Sequence, residues 1–261
     1  MKIFLFLVMV SMMCLTQAPA WSAPVDIPTS LKGDADNGHI QVGAQGEWFS
    51  RKIKPSSGNK ISGQAYVVKA SVPLKYMGQW DWYGELGIVN NVTVKSNAND
   101  QTTKFDLEDA KTMLGGVGVT WKPIEWPELN HLAIFTDLKY RQIFNGDYDR
   151  VRVNGNDINS FDSTKTPEFR EWQGALGVGA RFFDSVVPYA GVTYSDVKVD
   201  TRATINGIDY AVHNASSRNK GGGVIGLEYM PQCAALKNMS FNAQARFGDE
   251  NSYSGALVWK F

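Results

Sequence analysis

The sequence predicts an all-β fold: a closed antiparallel up-and-down transmembrane β-barrel of about ten strands, with eight strands as the alternative. Three observations predict it: short segments that alternate apolar and polar residues, connections that alternate between long and short, and an N-terminal export signal. Successive side chains of a strand lie on opposite sides, so each alternating segment has one apolar and one polar face. A closed barrel also satisfies every backbone hydrogen bond within lipid, which an open sheet cannot do.

The N-terminal residues have the pattern of a secretory signal peptide. Lys2 precedes an apolar stretch over residues 3–15, and residues 18–20 (Ala-Pro-Ala) have the small-x-small form of a cleavage site. The apolar stretch would form a helix of roughly 20 Å, which is too short for a hydrocarbon core of about 30 Å. We therefore predict cleavage after Ala20 rather than a membrane anchor, with cleavage after Ser22 as the alternative.

This division assigns residues 1–20 to the signal peptide, 21–38 to a periplasmic N-terminal segment and 39–261 to the barrel. Lys2 is the only charged residue of the signal peptide, so the processed chain keeps 25 basic and 26 acidic residues. A nearly neutral chain argues against nucleic acid as a partner, because phosphate binding requires a basic surface. Cys233 is the only cysteine after processing, which excludes an intrachain disulfide.

Ten segments of the processed chain carry the alternating pattern. No segment of ten or more residues repeats its apolar residues with the period of a helix. No apolar run after the signal peptide approaches the roughly 20 residues of a transmembrane helix. The predicted strands cover residues 39–50, 61–74, 79–94, 110–122, 131–144, 169–183, 188–200, 221–230, 238–248 and 253–261.

The connections between these strands sort by length. Short connections are predicted at residues 75–78, 123–130, 184–187 and 231–237, and longer polar ones at 51–60, 95–109, 145–168 and 201–220, with a fifth at 249–252. Membrane barrels have brief turns on the periplasmic side and extended loops outside, so both termini are predicted to be periplasmic. Asn-Gly at 154–155 and at 206–207 favours tight hairpins within two of the long loops.

In such a barrel the apolar faces contact lipid and the polar faces line the interior. The predicted charged lining carries both signs and consists of Glu47, Lys69, Asp81, Glu85, Asp137, Lys139, Arg141, Glu171, Arg181, Glu228, Arg246 and Lys260. A lipocalin-like carrier would alternate in the same way with its apolar face inside; the export signal, the terminal strand and the sorted loops favour the membrane barrel.

Aromatic residues collect near the strand ends, where membrane barrels carry girdles at the headgroup levels. The predicted girdle residues are Trp48, Phe49, Trp80, Trp82, Trp121, Trp126, Tyr140, Phe144, Phe182, Phe183, Tyr229, Trp259 and Phe261. The alternative explanation is that aromatic residues are simply common in strands.

Residues 174–261 resemble the small outer-membrane barrels of the opacity-protein and OmpA-transmembrane type. The similarity is carried by residues 174–183, by 187–196 and by the terminal strand, whose apolar face includes Tyr253, Leu257, Trp259 and Phe261. In Gram-negative outer-membrane barrels, such a strand ending on Phe is the assembly signal. The resemblance therefore implies insertion in the outer membrane, with membrane lipid, lipopolysaccharide and the barrel-assembly machinery as partners.

The mixed charges of the predicted lining leave two functional hypotheses open. Salt-bridged side chains would plug a narrow ten-stranded barrel, whereas a water-filled lumen would make it a small-solute channel. Plugging is favoured, because buried charges are tolerated when paired and large pores need more strands. The predicted role is structural or surface-interaction, with residues 145–168 and 201–220 as the possible extracellular ligand-binding loops.

An enzyme is the second alternative, because omptin proteases also have ten strands and an Asp/His pair at the rim. Here Asp209 and His213 lie in one long loop, and an Asp/His pair can activate water. Their spacing of four residues departs from the omptin pattern, and no omptin-like acidic pair can be assigned. Asp157, Asn159 and Asp162 lack the order of a calcium loop. No enzymatic activity, metal or cofactor is predicted.

We predict that the processed chain fractionates with membranes and requires detergent for extraction, because its apolar strand faces contact acyl chains. Cell fractionation followed by immunoblotting measures this. Recovery of the processed chain in the aqueous fraction without detergent would contradict the barrel assignment.

Overall fold

The computed structural model describes residues 40–54, 59–74, 80–98, 101–107, 112–144, 150–158, 163–205, 208–248 and 250–261. Within these ranges, fourteen β-strands are numbered here in chain order. Ten form the barrel wall: β1 (Gln41–Lys52), β2 (Lys60–Leu74), β3 (Trp80–Ala98), β5 (Thr112–Trp126), β6 (Leu132–Phe144), β9 (Ser163–Gly179), β10 (Val186–Ile205), β12 (Gly221–Tyr229), β13 (Met239–Phe247) and β14 (Asn251–Lys260). The other four are β4 (Gln101–Leu107), β7 (Arg150–Val153), β8 (Asn156–Ile158) and β11 (Ile208–Ser216). The predicted signal peptide and segment 21–38 lie outside the described residues.

The first and last strands pair with each other and close the barrel. β1 and β14 are antiparallel from the Gln41–Lys260 pair to the Ser50–Asn251 pair. The last amide of the chain, Phe261 N, donates to the carbonyl oxygen of Ile40 at 3.0 Å. Around the barrel the order is β1-β2-β3-β5-β6-β9-β10-β12-β13-β14. The ten-stranded prediction is confirmed and the eight-stranded alternative is wrong.

The two ends of the barrel differ in their connections. One end, which we call the turn end, carries short 3₁₀ turns at Pro127–Leu129 and Ala234–Leu236 together with the start of β1 and the end of β14. The other, which we call the hairpin end, carries β4, β7, β8 and β11. Long and short connections therefore separate as the sequence predicts.

The prediction of a long polar loop over residues 95–109 is wrong. β3 continues to Ala98 and pairs with β4 from Val92–Leu107 to Ala98–Gln101. The alternating Val92, Val94 and Phe105 are buried, so the strands have an apolar face to cover despite their polar composition. β4 then pairs with β7, and β7 with β8, which extends the sheet beyond the wall.

The Asn-Gly dipeptide at residues 154–155 forms a hairpin turn. Asn154 and Gly155 have φ of 51° and 86°, the positive values that a two-residue type I′ turn requires, and they join β7 to β8. β10 and β11 pair up to Ile205–Ile208, and the second predicted Asn-Gly turn, at residues 206–207, lies outside the described residues. The predicted strand ending at residue 200 thus continues to Ile205.

β11 completes the wall at the hairpin end. β12 and β13 have nine residues each and β14 has ten, whereas β10 has twenty, so the wall is lower on one side. Beyond these shorter strands, Lys54 N donates to Ser216 O at 2.8 Å and Arg218 N donates to Lys52 O at 3.0 Å. The hairpin of β10 and β11 therefore reaches β1 and closes the gap.

Two tyrosines lie over glycines on neighbouring strands inside the barrel. Tyr83 faces Gly118 and Tyr189 faces Gly226 in register. A Cβ atom at Gly226 would lie 2.1 Å from a ring carbon of Tyr189, so the ring occupies the side-chain space that the glycine leaves. Tyr189 Oη also donates to Asn242 Oδ1 at 2.9 Å, which holds the ring in this position.

We predict that Gly226→Val lowers the free energy of unfolding by about 1–3 kcal/mol, because the Tyr189 ring must leave its place in a packed interior. Urea unfolding of the chain refolded into liposomes measures this. The control is Gly84→Val, since a Cβ at Gly84 meets no atom within 4 Å. Equal effects of the two substitutions would show that the ring–glycine contact is not responsible.

Candidate functional site

Charged side chains form a connected network inside the barrel. Arg141 lies at its centre, with Nε 2.5 Å from Glu171 Oε2 and Nη1 2.6 Å from Glu47 Oε1. Arg51 pairs with both Glu171 and Glu250. The network, which we call the central ion network, holds three acids and three arginines: Glu47, Arg51, Arg141, Glu171, Arg246 and Glu250.

The central ion network crosses the lumen from one wall to the other. β1 and β9 are first and sixth in the closed order of ten strands, so they lie on opposite sides, and Arg51 on β1 reaches Glu171 on β9. Both side chains are at most 2% exposed. Buried charges are tolerated only when paired and hydrogen-bonded, and Gln173 Nε2 adds a hydrogen bond to Glu171 Oε1 at 2.7 Å.

Further predicted lining residues form two smaller polar groups. Glu85 Oε2 lies 3.4 Å from Lys69 Nζ and 4.0 Å from Lys139 Nζ. Asp137 accepts hydrogen bonds from Tyr83 Oη at 3.1 Å and from Thr120 Oγ1 at 3.0 Å. Lysines of two other strands therefore surround Glu85, whereas hydroxyl groups hold Asp137.

Apolar side chains fill the lumen on the hairpin side of the network. Phe49 on β1 and Phe169 on β9 approach each other across the barrel, with ring centroids 6.3 Å apart. The cluster, which we call the cap core, comprises Phe49, Ile53, Ile61, Ala65, Val67, Val89, Val92, Val94, Phe105, Leu114, Ile143, Val151, Phe169, Val197, Val199, Val212 and Ala215. The prediction of Phe49 as a girdle residue is wrong, because its ring points inward.

The turn end of the lumen is more accessible. Asp81, Arg181 and Lys260 are half-buried there, whereas Glu228 is buried. A small apolar cluster of Ala133, Val187 and Met230 lies at the same end. The structure thus places all twelve predicted lining residues on the inward face, and it joins four of them in the central ion network.

The outer surface of the wall is apolar and exposed. Leu86 is 69% exposed, and large apolar side chains are exposed on every wall strand except β1, whose exterior carries the exposed Ala44 and the half-buried Trp48. Soluble monomers rarely expose apolar patches on this scale, which are typical of surfaces that contact membranes or other proteins, and the inward face of the wall is charged. The chain is an outer-membrane β-barrel protein.

Aromatic residues bound the apolar belt of this outer-membrane barrel. Trp80 and Trp121 stack near the turn end with centroids 5.2 Å apart. Towards the hairpin end, Tyr66 Oη donates to Gln64 Oε1 at 3.3 Å, and Tyr140 Oη donates to Gln142 Oε1 at 3.2 Å. These hydroxyls turn towards the polar side, as tyrosines do at a membrane interface. On β2, Gln64 therefore marks the hairpin-end boundary of the belt.

The terminal strand presents the predicted apolar face to the outside of the outer-membrane barrel. Tyr253, Leu257 and Trp259 are exposed on the wall, and Phe261 is 66% exposed beside Trp259. The prediction that these residues form an assembly signal concerns insertion into the membrane, which precedes the folded barrel. It stays a prediction.

Sequence reasoning missed two members of the central ion network. Arg51 and Glu250 fall within predicted connections, yet both are buried and paired. The inward alternation of Gln45, Glu47 and Phe49 continues to Arg51 and could have identified it. Glu250 follows the Gly248 turn, where φ is 102°, and carries no comparable periodic signal.

The structure places the two candidate catalytic residues of the rim on one strand. Asp209 and His213 belong to β11, but their side chains are not among the described ones. His131 Nδ1 lies 2.9 Å from Glu125 Oε1 at the turn end.

Within the described ranges, no three His, Cys, Asp or Glu residues are placed to hold a metal ion. No helix of that part of the chain has the length and apolarity to cross a membrane.

No protein-family model matches the chain, and no curated protein sequence does either. Solved structures with a similar fold include the outer membrane protein OprG from Pseudomonas aeruginosa, with 13% identity, 86% coverage of this chain, 96% of that chain and a TM-score of 0.42. The translocator domain of the autotransporter NalP from Neisseria meningitidis has 11% identity, coverages of 87% and 90%, and a TM-score of 0.42. Ail, the attachment invasion locus protein of Yersinia pestis, has 12% identity, coverages of 86% and 99%, and a TM-score of 0.29. We infer no role for this chain from proteins of such low similarity.

We predict that Arg141→Leu lowers the free energy of unfolding by about 3–5 kcal/mol, because it leaves Glu47 and Glu171 buried without their shared partner. Urea unfolding in liposomes measures the change. The matched control is Arg170→Leu, which removes an exposed pair with Glu168 and should cost at most about 1 kcal/mol. A similar small loss for both variants would contradict a buried network at the centre of the lumen.

Proposed function

We propose that this outer-membrane barrel is a closed structural and surface-interaction protein rather than an open channel. The observation that carries the proposal is the filled lumen: the central ion network spans the barrel at one level, and the cap core fills the level above it. Ten strands enclose little more space than side chains can occupy. A solute would have to displace both paired buried charges and packed apolar rings.

The proposed orientation places the hairpin end outside the cell and both termini in the periplasm. The long connections support it, since outer-membrane barrels carry their extended loops on the outer side and brief turns on the periplasmic side. The pattern of a signal peptide at residues 1–20 supports passage through the periplasm before insertion. Contact with lipopolysaccharide and with the barrel-assembly machinery is part of the same proposal.

The surface-interaction role is assigned to the hairpins. Asn154, Asn156 and Asp157 at the tip of the β7–β8 hairpin are exposed. In the part of the chain that the structure describes, β8 pairs only with β7, so its other edge is available for main-chain pairing with a partner. Residues 145–168 and 201–220 remain the proposed extracellular binding region.

We also propose that the chain has no catalytic role. Asp209 and His213 both belong to the regular strand β11, and their spacing of four residues departs from the omptin pattern. Peptide hydrolysis by the refolded chain that disappears in His213→Ala would contradict this proposal.

We predict that the refolded chain shows no steady single-channel conductance in planar bilayers, because the lumen is filled at two levels. As a positive control, Arg51→Ala combined with Phe49→Ala and Phe169→Ala removes side chains from both levels and should produce measurable conductance. Stepwise conductance of the unmodified chain would favour the small-solute channel instead.

A further inference from the structure

A row of cationic residues crosses five adjacent strands at the hairpin end. Lys52 on β1 faces Lys60 on β2, Lys60 faces Lys95 on β3, Lys95 faces Lys104 on β4, and Lys104 faces Arg152 on β7. Adjacent strands are about 4.8 Å apart, so the row is roughly 19 Å long. We call these five residues the basic ladder.

The basic ladder faces away from the barrel interior. Each member is next in sequence to a buried cap-core residue, namely Ile53, Ile61, Val94, Phe105 and Val151. Since successive side chains of a strand lie on opposite sides, the ladder residues point outward. Lys52, Lys60 and Lys95 are exposed, and Lys104 and Arg152 are half-buried.

This arrangement is costly for the protein by itself. Like charges directly opposite on neighbouring strands repel and are destabilising. One acid, Asp157 on β8, lies at the end of the row, where its Oδ1 is 2.5 Å from Arg152 Nε. Lys52, Lys60 and Lys95 form no ion pair with any residue that the structure describes. These three exposed lysines are thus placed to meet anions that come from outside the chain.

The height of the basic ladder indicates where those anions lie. Lys60 is four residues beyond Gln64, the boundary of the apolar belt, which is roughly 13 Å along the strand. At a strand tilt of about 40°, this places the ladder roughly 10 Å beyond the belt, at the level of lipid headgroups. The ladder points sideways into the leaflet, which favours a membrane lipid over a soluble polyanion.

A groove on the same side of the wall lies below the ladder. Ala70 on β2 pairs with Gly84 on β3, and Gly115 on β5 pairs with Leu86 on β3. The small side chains at these three positions leave a depression in the outer surface. The groove has a volume of about 610 Å³, and Val68, Leu86 and Val117 line it. It lies within the lipid-facing belt and is almost entirely apolar, which suits an acyl chain.

We propose that the basic ladder binds the phosphate groups of lipopolysaccharide while an acyl chain of the same molecule lies in the groove. The inference rests on the proposed orientation, which places the hairpin end in the outer leaflet. Cations near an anionic membrane surface each contribute to binding, and removing three should weaken affinity at least about tenfold.

The test uses the full processed chain in zwitterionic detergent micelles, titrated with purified lipopolysaccharide. The ladder variant combines Lys52→Gln, Lys60→Gln and Lys95→Gln. Its charge-matched control combines Arg170→Gln, Lys198→Gln and Arg202→Gln, three exposed cations on β9 and β10. We expect at least about a tenfold loss of affinity for the ladder variant and less than about a twofold change for the control. Equal losses would overturn the proposal, since they indicate diffuse attraction.

Two further arms separate the phosphate and acyl contributions. Dephosphorylated lipopolysaccharide should bind the unmodified chain as weakly as intact lipopolysaccharide binds the ladder variant. Gly84→Leu fills the groove without a backbone clash and should weaken binding, whereas Gly174→Leu on β9, where a Cβ meets only atoms at 3.9 Å or more, should not. Heparin competing as effectively as lipopolysaccharide would assign the ladder to a soluble polyanion and overturn the proposal.

Thermal unfolding without lipopolysaccharide checks that the ladder variant is folded. Its midpoint should equal or exceed that of the unmodified chain, because cross-strand repulsion is relieved. A lower midpoint would reveal internal partners of the ladder and overturn the proposal.

Orientation is tested separately by labelling Asn154→Cys from outside intact cells. Absent labelling with retained micelle binding would contradict the proposed orientation and leave the phosphate site standing.

Discussion

The structure depends on the requirement that no backbone polar group face lipid unpaired. An isolated sheet has two edges, and each unpaired amide or carbonyl in hydrocarbon costs several kcal/mol. Pairing of β1 with β14 removes both edges, and the pairing extends to the final amide of the chain at Phe261. Once the wall is closed, successive side chains of each strand point in turn to the lipid and to the lumen.

The inward-facing side chains of the wall strands then fill the lumen. Its charged side chains are acceptable because they are joined: Arg141 connects Glu47 to Glu171, and Arg51 connects Glu171 to Glu250. The desolvation cost of each buried charge is offset only in the complete set, so the network is expected to behave as a unit rather than as separate pairs.

Beyond the membrane the same strands follow the rules of a water-soluble domain. The hairpins of β3–β4, β7–β8 and β10–β11 bury an apolar cap core on their inner side and expose charged residues on the outer side. The outward face therefore changes from apolar to cationic between Tyr66 and Lys60 on a single strand. The continuous sheet thus carries two exterior surfaces, one suited to acyl chains and one to headgroups.

The sequence by itself predicted about ten wall strands and the alternation of polar and apolar faces along each of them, because alternation and connection lengths are local properties. It also indicated the Asn-Gly hairpin at Asn154, since the turn type depends on two residues. Only the tertiary structure decided that Arg51 meets Glu171, that Phe49 points into a cap core, and that five cations from distant segments stand in one row. Those contacts join residues up to 199 positions apart, as Arg51 and Glu250 are, and they depend on strand register, which no local pattern specifies.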